Sequence, residues 1–396
     1  MTIDDKQTLD RWLGAWLLVT LRPLARLLGK ILRRDHRITA TGELVFIKLL
    51  GGGSLLIALP ALLAVRKRFP GRPLSLVCGK AVAPFAELLG VFDRIDVIQD
   101  DRGPIGLLAS AGRVLAGLVI RRVDTVVDFE VYSQLSTVFS LLTCARNRIG
   151  FYVDSAYWRR NALTHLVFFN RSRGVFHFYA ATASLLGASA PTREEIRSHL
   201  LSRIGGAREL PPALAVGAGC SEFASVRHLP LPEWREFAAK RAPELAGLRW
   251  IFLGAPGDRE LSEEIAAEVG AVLGPGFSYE NRCGELALGE SLAVLAGSKR
   301  FVGIDSALIH AARALAIPSS SFFGPTDPVT LLEPIPGYEE RVHYRPPICS
   351  PCLHVAQTPP CKGDNVCMRL FTQEVASPAP WCEDASGVSV LPAGVE

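Results

Sequence analysis

The sequence predicts an α/β protein with enough apolar residues to fill two hydrophobic cores. Its 396 residues are 49% hydrophobic, and a chain of this length is expected to divide into two domains. Short apolar runs alternate with segments of helical spacing, which is typical of sheets whose strands are joined by helices. The clearest case is the stretch at residues 301–328, FVGIDSALIHAARALAIPSSSFFGPTDP.

This stretch predicts a ligand-binding strand–helix–strand unit. Phe301–Ile304 is an apolar run, Asp305 and Ser306 are residue types that begin helices, and the turn Gly324–Pro328 ends the second strand. In open α/β sheets, ligands bind beyond the carboxyl ends of the strands, where helix N-termini leave backbone N–H groups free for a phosphate. Taken singly, Asp305, Ser306 and His310 also fit a helix cap and a core histidine. Together with the turn they favour a site.

The same residues resemble the donor-site signature of the heptosyltransferase family, glycosyltransferase family 9. Asp305, Ser306 and His310, followed by FGPTDP at 323–328, carry the resemblance, which extends from about residue 43 to about residue 375. It implies the GT-B fold, in which two doubly wound Rossmann-like domains face a cleft. It also implies inverting sugar transfer from a nucleotide donor, with no metal ion or other cofactor required. The implied donor-binding residues are Asp305, Ser306, Ala307, His310, Gly324 and Thr326, with Arg227 on the diphosphate.

Charge and cysteine content restrict the partners and the compartment. The net charge of +4 is too small to indicate nucleic acid, and no basic stripe with interleaved aromatic residues follows the N-terminal segment. Nine cysteines are an odd number, and the start of the chain does not have the pattern of a cleavable signal peptide. We therefore expect a reducing cytosolic environment.

The segment at residues 9–34 has a basic amphipathic pattern. Its uncharged run, Trp12–Leu21, is ten residues long, whereas a helix needs about 20 to cross a bilayer. We expect it to lie on an anionic membrane surface, at the cytoplasmic face of the inner membrane. The alternative is that its apolar face packs on the body of the protein. The apolar residues are Leu9, Trp12, Leu13, Trp16, Leu17, Leu21, Leu24, Leu28 and Ile31, and the basic ones are Arg11, Arg22, Arg26, Lys30, Arg33 and Arg34.

Four parts of the chain are predicted, and the roles of the two domains are those that the resemblance implies. Residues 1–42 form the amphipathic segment and a linker, and residues 43–190 an acceptor-binding domain with strands at 43–50, 74–77, 94–98 and 124–130 and a helix at 103–120. Residues 191–375 form a nucleotide-sugar-binding domain. Residues 376–396 are rich in Pro, Ser and Gly and are expected to be loose.

The turn after the first predicted strand lacks an expected carboxylate. Gly52 and Gly53 could bring an acceptor close to the backbone, and they are our candidates for acceptor binding. In the heptosyltransferases an aspartate in this turn is proposed as the general base, and Ser54 occupies that position here. A serine hydroxyl does not accept a proton at neutral pH as a carboxylate does. Either another carboxylate is the base or the chain is not a transferase.

Two carboxylates end the strand predicted at 124–130. Alternation of side chains would place Asp128 and Glu130 on the same side. Glu130 is our candidate for the displaced base, and Asp128 is expected to orient the turn. The alternative for Glu130 is a cap on the next helix, near Ser133.

Two arginines match the acceptor-side loop of the family. Arg159 and Arg160 could bind an anionic acceptor such as a phosphorylated lipid or an acidic sugar. They fit a solvated surface equally well.

Four cysteines lie close together in the last quarter of the chain. Cys349, Cys352, Cys361 and Cys367 have the spacing C-x2-C-x8-C-x5-C. In a reducing compartment this spacing favours a structural zinc site over disulfides. Free buried thiols are the alternative.

The leading hypothesis is an inverting glycosyltransferase at a membrane surface. It would move a sugar from a nucleotide donor, ADP-heptose by resemblance, to a lipopolysaccharide core or another lipid-linked glycan. Because Ser54 replaces the aspartate, a catalytically inactive nucleotide-sugar-binding or scaffold protein of the same fold is the alternative. An epimerase of the same fold, which would release nucleotide without an acceptor, is a third hypothesis.

Overall fold

The chain forms two compact units, each built on its own sheet. A computed structural model describes residues 3–31, 38, 40–220, 222–353, 359, 361–362, 364–372, 382–383 and 389–390. Unit 1 is Met1–Thr192 and unit 2 is Arg193–Glu396. Most of the predicted tail at 376–396 lies outside the described residues.

The sheet of unit 1 has six parallel strands in the order β3-β2-β1-β4-β5-β6. The direction of winding reverses between β1 and β4, so their carboxyl ends flank a switch point, where doubly wound sheets bind ligands. All residues of β1 and β4 are buried, as expected for central strands. The strands are β1 Leu44–Lys48, β2 Leu74–Gly79, β3 Arg94–Ile98, β4 Thr125–Asp128, β5 Asn147–Tyr152 and β6 His165–Phe168.

Helices connect these strands and one further helix precedes them. The longest is the N-terminal helix, which contains Pro23. A short 3₁₀ turn, Asp154–Arg159, follows β5. The helices are α1 Ile3–Ile31, α2 Gly52–Arg68, α3 Ala83–Leu89, α4 Gly103–Ile120, α5 Gln134–Leu142 and α6 Val175–Leu185.

Helix α1 has one face on unit 1 and another in solvent. Leu18 is buried against Val138 of α5 and Ala162, and this small cluster holds the middle of the helix. On the other side, Trp12 and Trp16 are 66% and 64% exposed. The alternative, packing on the body of the protein, therefore holds for one face of the helix, and contact of the exposed face with a membrane stays a prediction. Arg33 and Arg34, two of its predicted basic residues, lie outside the described residues.

Asp10 fixes α1 to the start of α5. Its carboxylate accepts hydrogen bonds from Ser133 Oγ at 2.6 Å and from the backbone N–H groups of Gln134 and Leu135, each at 2.9 Å. These donors are the groups that a helix N-terminus leaves without partners. The N-terminal segment is thus anchored by both apolar and polar contacts.

The sheet of unit 2 has the same doubly wound character. Its parallel strands run in the order β12-β11-β10-β7-β8-β9, and the two short strands β14 and β13 follow β12 as antiparallel neighbours. The winding reverses between β7 and β10, so the turns after these two strands flank the switch point. The strands are β7 Ala213–Gly217, β8 Arg249–Phe252, β9 Tyr279–Asn281, β10 Arg300–Ile304, β11 Ser319–Phe323, β12 Glu340–Tyr344, β13 Cys382–Glu383 and β14 Ser389–Val390.

An aromatic core fixes the central strands of unit 2. The rings of Trp234 and Phe322 are both fully buried, and their centroids are 5.3 Å apart in an edge-to-face arrangement. Because Phe322 belongs to β11, this packing holds the strand that leads into the second predicted turn. The helices are α7 Arg193–Arg203, α8 Leu231–Leu245, α9 Arg259–Leu273, α10 Leu288–Gly297, α11 Ala307–Ala314 and α12 Pro328–Leu331, with 3₁₀ turns at Glu222–Arg227, Pro256–Asp258, Gly274–Gly276 and Val366–Met368.

Candidate functional site

The predicted donor residues of unit 2 meet around the buried carboxylate of Asp305. This residue follows β10, and its Oδ2 accepts a hydrogen bond of 2.7 Å from Thr326 Oγ1, in the turn after β11. Arg227 Nε lies 3.3 Å from the same oxygen, and Arg227 Nη1 donates to the main-chain oxygen of Asp305 at 3.2 Å. Two turns and the segment after β7 therefore converge at the switch point of the sheet.

His310 lies beside this carboxylate as a neutral imidazole. Its Nε2 is 3.9 Å from Asp305 Oδ1. Burial lowers the pKa of His310 to about 4; Asp305 opposes the shift, while Arg313 and Arg227 add to it. At neutral pH the histidine can exchange hydrogen bonds but carries no charge, so Arg227 supplies the positive charge beside Asp305.

The start of α11 offers polar groups to a ligand. Ser306 is the N-cap residue, yet its side chain makes no capping hydrogen bond, and Ala307 is the first helical residue. Ser306 Oγ is buried and has no hydrogen-bond partner in the part of the chain that the structure describes. Phosphate oxygens are suitable acceptors for this hydroxyl and for the free N–H groups of the first turn.

Close packing explains why residue 324 is a glycine. A Cβ atom there would lie 2.5 Å from Met368 Sδ and 2.9 Å from Cys367 Sγ. The adjoining backbone is held by Cys352, whose N–H donates to the Pro325 oxygen at 3.1 Å. The cysteine-bearing segment thus supports the turn that contains Thr326.

Asp258 lies near this site but was not among the predicted site residues. It ends the 3₁₀ turn after β8, and its carboxylate occupies the space where Gly219 and Gly254 have no side chain. Burial raises the pKa of Asp258, although a hydrogen bond from the backbone N–H of Ala255 opposes this. Gly219 and Gly254 leave room for the Asp258 side chain. These two glycines were the sequence signal that could have identified it.

In unit 1, Glu130 closes the turn after β1. Its Oε1 accepts hydrogen bonds from Lys48 Nζ at 3.1 Å and from the backbone N–H groups of Leu49 and Leu50 at 2.8 and 3.2 Å. It does not cap the next helix, because Ser133 does so by accepting from the Ser136 N–H. The carboxylate therefore lies at the switch point between β1 and β4.

Ser54 and Lys48 belong to the same group of side chains as Glu130, at the start of α2 and the end of β1. Ser54 forms a side-chain hydrogen bond with Tyr179, and burial raises the pKa of the Tyr179 hydroxyl while Lys48 opposes the shift. Burial alone would lower the pKa of Lys48, but Glu130, Tyr179 and Asp128 together raise it, so the lysine is charged. Gly52 and Gly53 begin α2, and a Cβ at Gly52 would collide with the ring of Phe85.

Asp128 and Arg159 form a buried ion pair, which corrects the role predicted for Arg159. Neither side chain is exposed, and Ser136 Oγ also donates to Asp128 Oδ2 at 2.9 Å. Burial raises the pKa of Asp128, and Arg159 opposes this. Enclosed in this way, Arg159 cannot bind an acceptor, while Asp128 accepts a hydrogen bond of 3.0 Å from the Glu130 N–H. The pair instead braces the loop of Glu130, whose main-chain oxygen accepts from Arg159.

Arg160 is the available member of the predicted arginine pair. Its side chain is exposed, with the guanidinium 4.7 Å from the ring centroid of Tyr152 and 3.4 Å from Asp154 Oδ1. Its exposure leaves contact with an anionic acceptor as a prediction for this residue.

The four clustered cysteines give no support to zinc. None of the four forms a disulfide within the described part of the chain. Burial, with the neighbouring cysteines adding to it, raises the pKa of Cys367 to about 12, and burial likewise raises that of Cys352. Across the described residues, no group of three or more His, Cys, Asp or Glu side chains could hold a metal ion.

Solved structures identify the class of fold. The structure of Escherichia coli heptosyltransferase WaaC with ADP matches with a TM-score of 0.59 and 20% identity, covering 76% of this chain and 92% of that one. E. coli ADP-heptose lipopolysaccharide heptosyltransferase II matches with a TM-score of 0.56 and 19% identity, over 77% and 90% of the two chains. The predicted GT-B fold is confirmed.

Sequence comparison identifies the family. Residues 131–358, more than half of the chain, match the model of glycosyltransferase family 9 (heptosyltransferase). The chain belongs to this family, as its donor motif predicted. It is 35% identical over 135 residues to lipopolysaccharide heptosyltransferase 1 of Pseudomonas aeruginosa, and 33% identical over 106 residues to that of E. coli K12. These alignments cover 32% and 26% of this chain, and 33% and 29% of the length of these relatives.

Proposed function

We propose that the protein is an inverting, metal-independent glycosyltransferase that moves a sugar from a nucleotide donor to a lipopolysaccharide core or another lipid-linked glycan. The observation that carries the proposal is the Asp305, Thr326 and Arg227 cluster at the switch point of unit 2. Membership of family 9 supports the reaction class.

In the proposed mechanism Arg227 binds the diphosphate of the donor. Negative charge develops on this group as the bond to the sugar breaks, and a fixed guanidinium stabilises it without a metal ion. Ser306 and the first N–H groups of α11 bind the phosphate oxygens, and Asp305 holds Arg227 and Thr326 in place. An E. coli WaaC structure contains ADP-2-deoxy-2-fluoro heptose. ADP-heptose is therefore the first donor to test.

Glu130 is the proposed general base. Its Oε1 is fixed by Lys48 and by the turn after β1, and we assign proton transfer to its second oxygen, Oε2. The acceptor hydroxyl loses its proton as it attacks the anomeric carbon. Arg160 is the proposed contact for an anionic group of the acceptor.

Donor binding is tested by calorimetric titration with ADP, UDP and GDP. Asp305→Asn is expected to weaken binding of the preferred nucleotide by about tenfold or more, which is about 1.4 kcal/mol. The matched control is Asp93→Asn, which removes a carboxylate bonded to Arg66 and Leu74 in unit 1. Equal affinities for the parental protein and the Asp305 variant would refute the donor site.

We further propose that the outer face of α1 attaches the protein to the cytoplasmic face of the inner membrane, where a lipid-linked acceptor is present. The exposed Trp12 and Trp16 support this. Comparing the lipid-linked glycans of a deletion strain with those of its parent identifies the sugar that the protein adds.

The competing function is a nucleotide-sugar-binding protein without catalysis. The hydroxyl of Ser54 in place of the family's aspartate, already bonded to Tyr179, is the observation in its favour. Nucleotide binding without transfer from any donor would establish this function instead.

A further inference from the structure

Helix α4 has an apolar face that no described part of the chain covers. Ile105 and Ile120, near its two ends, are 84% and 80% exposed, and only Ser110 and Leu118 of its 18 residues are buried. At helical spacing the exposed apolar residues fall on one stripe along the whole helix. They are Ile105, Leu108, Ala109, Gly112, Ala116, Val119 and Ile120.

This helix lies along the surface of unit 1. Within the described residues it is the one helix whose length and composition would allow it to cross a membrane. However, it connects β3 to β4 of the same sheet, so both of its ends must return to that sheet. Its inner residues Leu107, Ala111 and Val114 pack on the core of the sheet. The exposed stripe is therefore the outer face of a docked helix.

An ion pair joins α4 to the N-terminal helix. Lys6 Nζ of α1 lies 2.7 Å from Asp100 Oδ2, and Asp100 precedes the first residue of α4 by three positions. The starts of the two helices are thereby tied together on unit 1. Each presents an apolar face to solvent, with Trp12 and Trp16 on α1.

The charges of both helices match an anionic surface. Helix α4 contains no Asp or Glu, and α1 contains none after Asp10, which is engaged with α5. Arg113 on α4 and Arg26 on α1 are exposed. Tryptophan and aliphatic side chains with flanking arginines are the composition of helices that lie at the interface of anionic bilayers.

We propose that the exposed stripe of α4 and the outer face of α1 form one membrane-docking surface, occupied by the headgroup and acyl boundary of an anionic bilayer. This rests on the proposed function in one respect, since a lipid-linked acceptor requires the enzyme to work at a membrane. It adds a second point of attachment to α1, which orients unit 1 on the bilayer.

The test is co-sedimentation of the full chain with phosphatidylethanolamine–phosphatidylglycerol vesicles, with phosphatidylcholine vesicles as the neutral comparison. Ile105→Ser combined with Ile120→Ser is expected to lower the partition coefficient about tenfold without changing the net charge. Ile105→Leu combined with Ile120→Leu keeps the apolar surface and is expected to bind like the parent. Ile348→Ser is the matched control, because Ile348 is fully exposed in unit 2. Thermal melts of each variant check folding.

Each outcome separates this inference from the proposed function. Parental vesicle binding by the double serine variant, with binding lost in Trp12→Ala, would overturn the role of α4 and leave attachment through α1 standing. Loss of binding in the leucine variant as well would show that shape rather than lipid contact matters, and would also overturn it. If the parent ignores vesicles but forms dimers that the serine variant abolishes, the stripe is an interface between copies. None of these results tests the proposed function, which is measured separately as sugar transfer to a soluble acceptor.

Discussion

Glu130 places a carboxylate at the turn after β1, where Ser54 stands in place of the family's aspartate. Alternation in a strand predicted that Asp128 and Glu130 share a side, but β4 ends at Asp128. Glu130 therefore turns towards β1, while Asp128 is enclosed with Arg159. Sequence reasoning could not foresee this pair, because its two members are 31 positions apart and only the folded loop brings them together.

Replacing Glu130 by Gln tests its role as base. The amide keeps the shape but cannot accept the proton, so turnover is expected to fall about 10²-fold or more with little change in donor affinity. Steady-state kinetics with calorimetry measures both quantities. Glu43→Gln is the control, since Glu43 precedes β1 at the opposite end and is bonded to Arg121 and Ser75.

A second substitution makes the same test more specific. If the carboxylate is what matters, Ser54→Asp in the Glu130→Gln protein is expected to recover part of the lost turnover, because it restores the family's aspartate. Parental turnover in Glu130→Gln would place the base elsewhere, and Asp154 is the next carboxylate to test.

His310 is expected to make stability depend on pH. Its pKa falls from 6.5 in the unfolded chain to about 4 in the folded one, because the buried site disfavours the charged form. Between these pH values the unfolded chain binds more protons, so the free energy of unfolding decreases as the pH is lowered from about 6.5 to about 4. The decrease attributable to His310 is about 3 kcal/mol.

Urea unfolding of His310→Gln between pH 7 and pH 4 measures this contribution. The variant is expected to lose less stability over that interval than the parent. Identical pH profiles of the two proteins would show that the imidazole is not buried in its neutral form.

At the scale of elements, the apolar periodicity of the sequence predicted the positions of helices, but not which of their faces other parts of the chain cover. The prediction of a helix at 103–120 is confirmed by α4, and that of a strand at 94–98 by β3. The exposed stripe of α4 was missed, because an apolar helix between two strands is ordinarily covered by its neighbours. The division of α1 into two faces was missed for a related reason, since contact with α5 depends on residues more than a hundred positions away.

The cap that α1 places on α5 is expected to contribute to the stability of unit 1. Asp10→Ala removes three hydrogen bonds and a negative charge from a helix N-terminus, and we expect the free energy of unfolding to fall by about 1–2 kcal/mol. Urea denaturation measures it. The control is Asp101→Ala, which removes an exposed pair with Lys80 and is expected to change the free energy of unfolding much less than Asp10→Ala. An Asp10 variant as stable as the parent would show that α1 does not dock on α5 in solution.

At the scale of the whole molecule, the alternation of apolar runs and helical segments predicted an α/β protein of two domains, whereas the GT-B fold was expected from the resemblance to the heptosyltransferase family. Each sheet reverses its winding once, and the polar residues of the motif at 301–328 lie at such a reversal, where parallel sheets expose the carboxyl ends of their strands. The donor sugar and the acceptor did not follow from the sequence in the same way, because they depend on shapes and contacts that a bound ligand would define.

The proposed function requires that this protein transfer sugar as well as bind nucleotide. The most direct measurement is mass spectrometry of lipopolysaccharide from the deletion strain after incubation with the purified protein and ADP-heptose. We expect the acceptor mass to increase by one heptose residue, with the increase greatly slowed in Glu130→Gln and in Asp305→Asn. An unchanged acceptor mass with ADP-heptose and with every other nucleotide sugar tested, from a protein that binds nucleotide, would contradict the account.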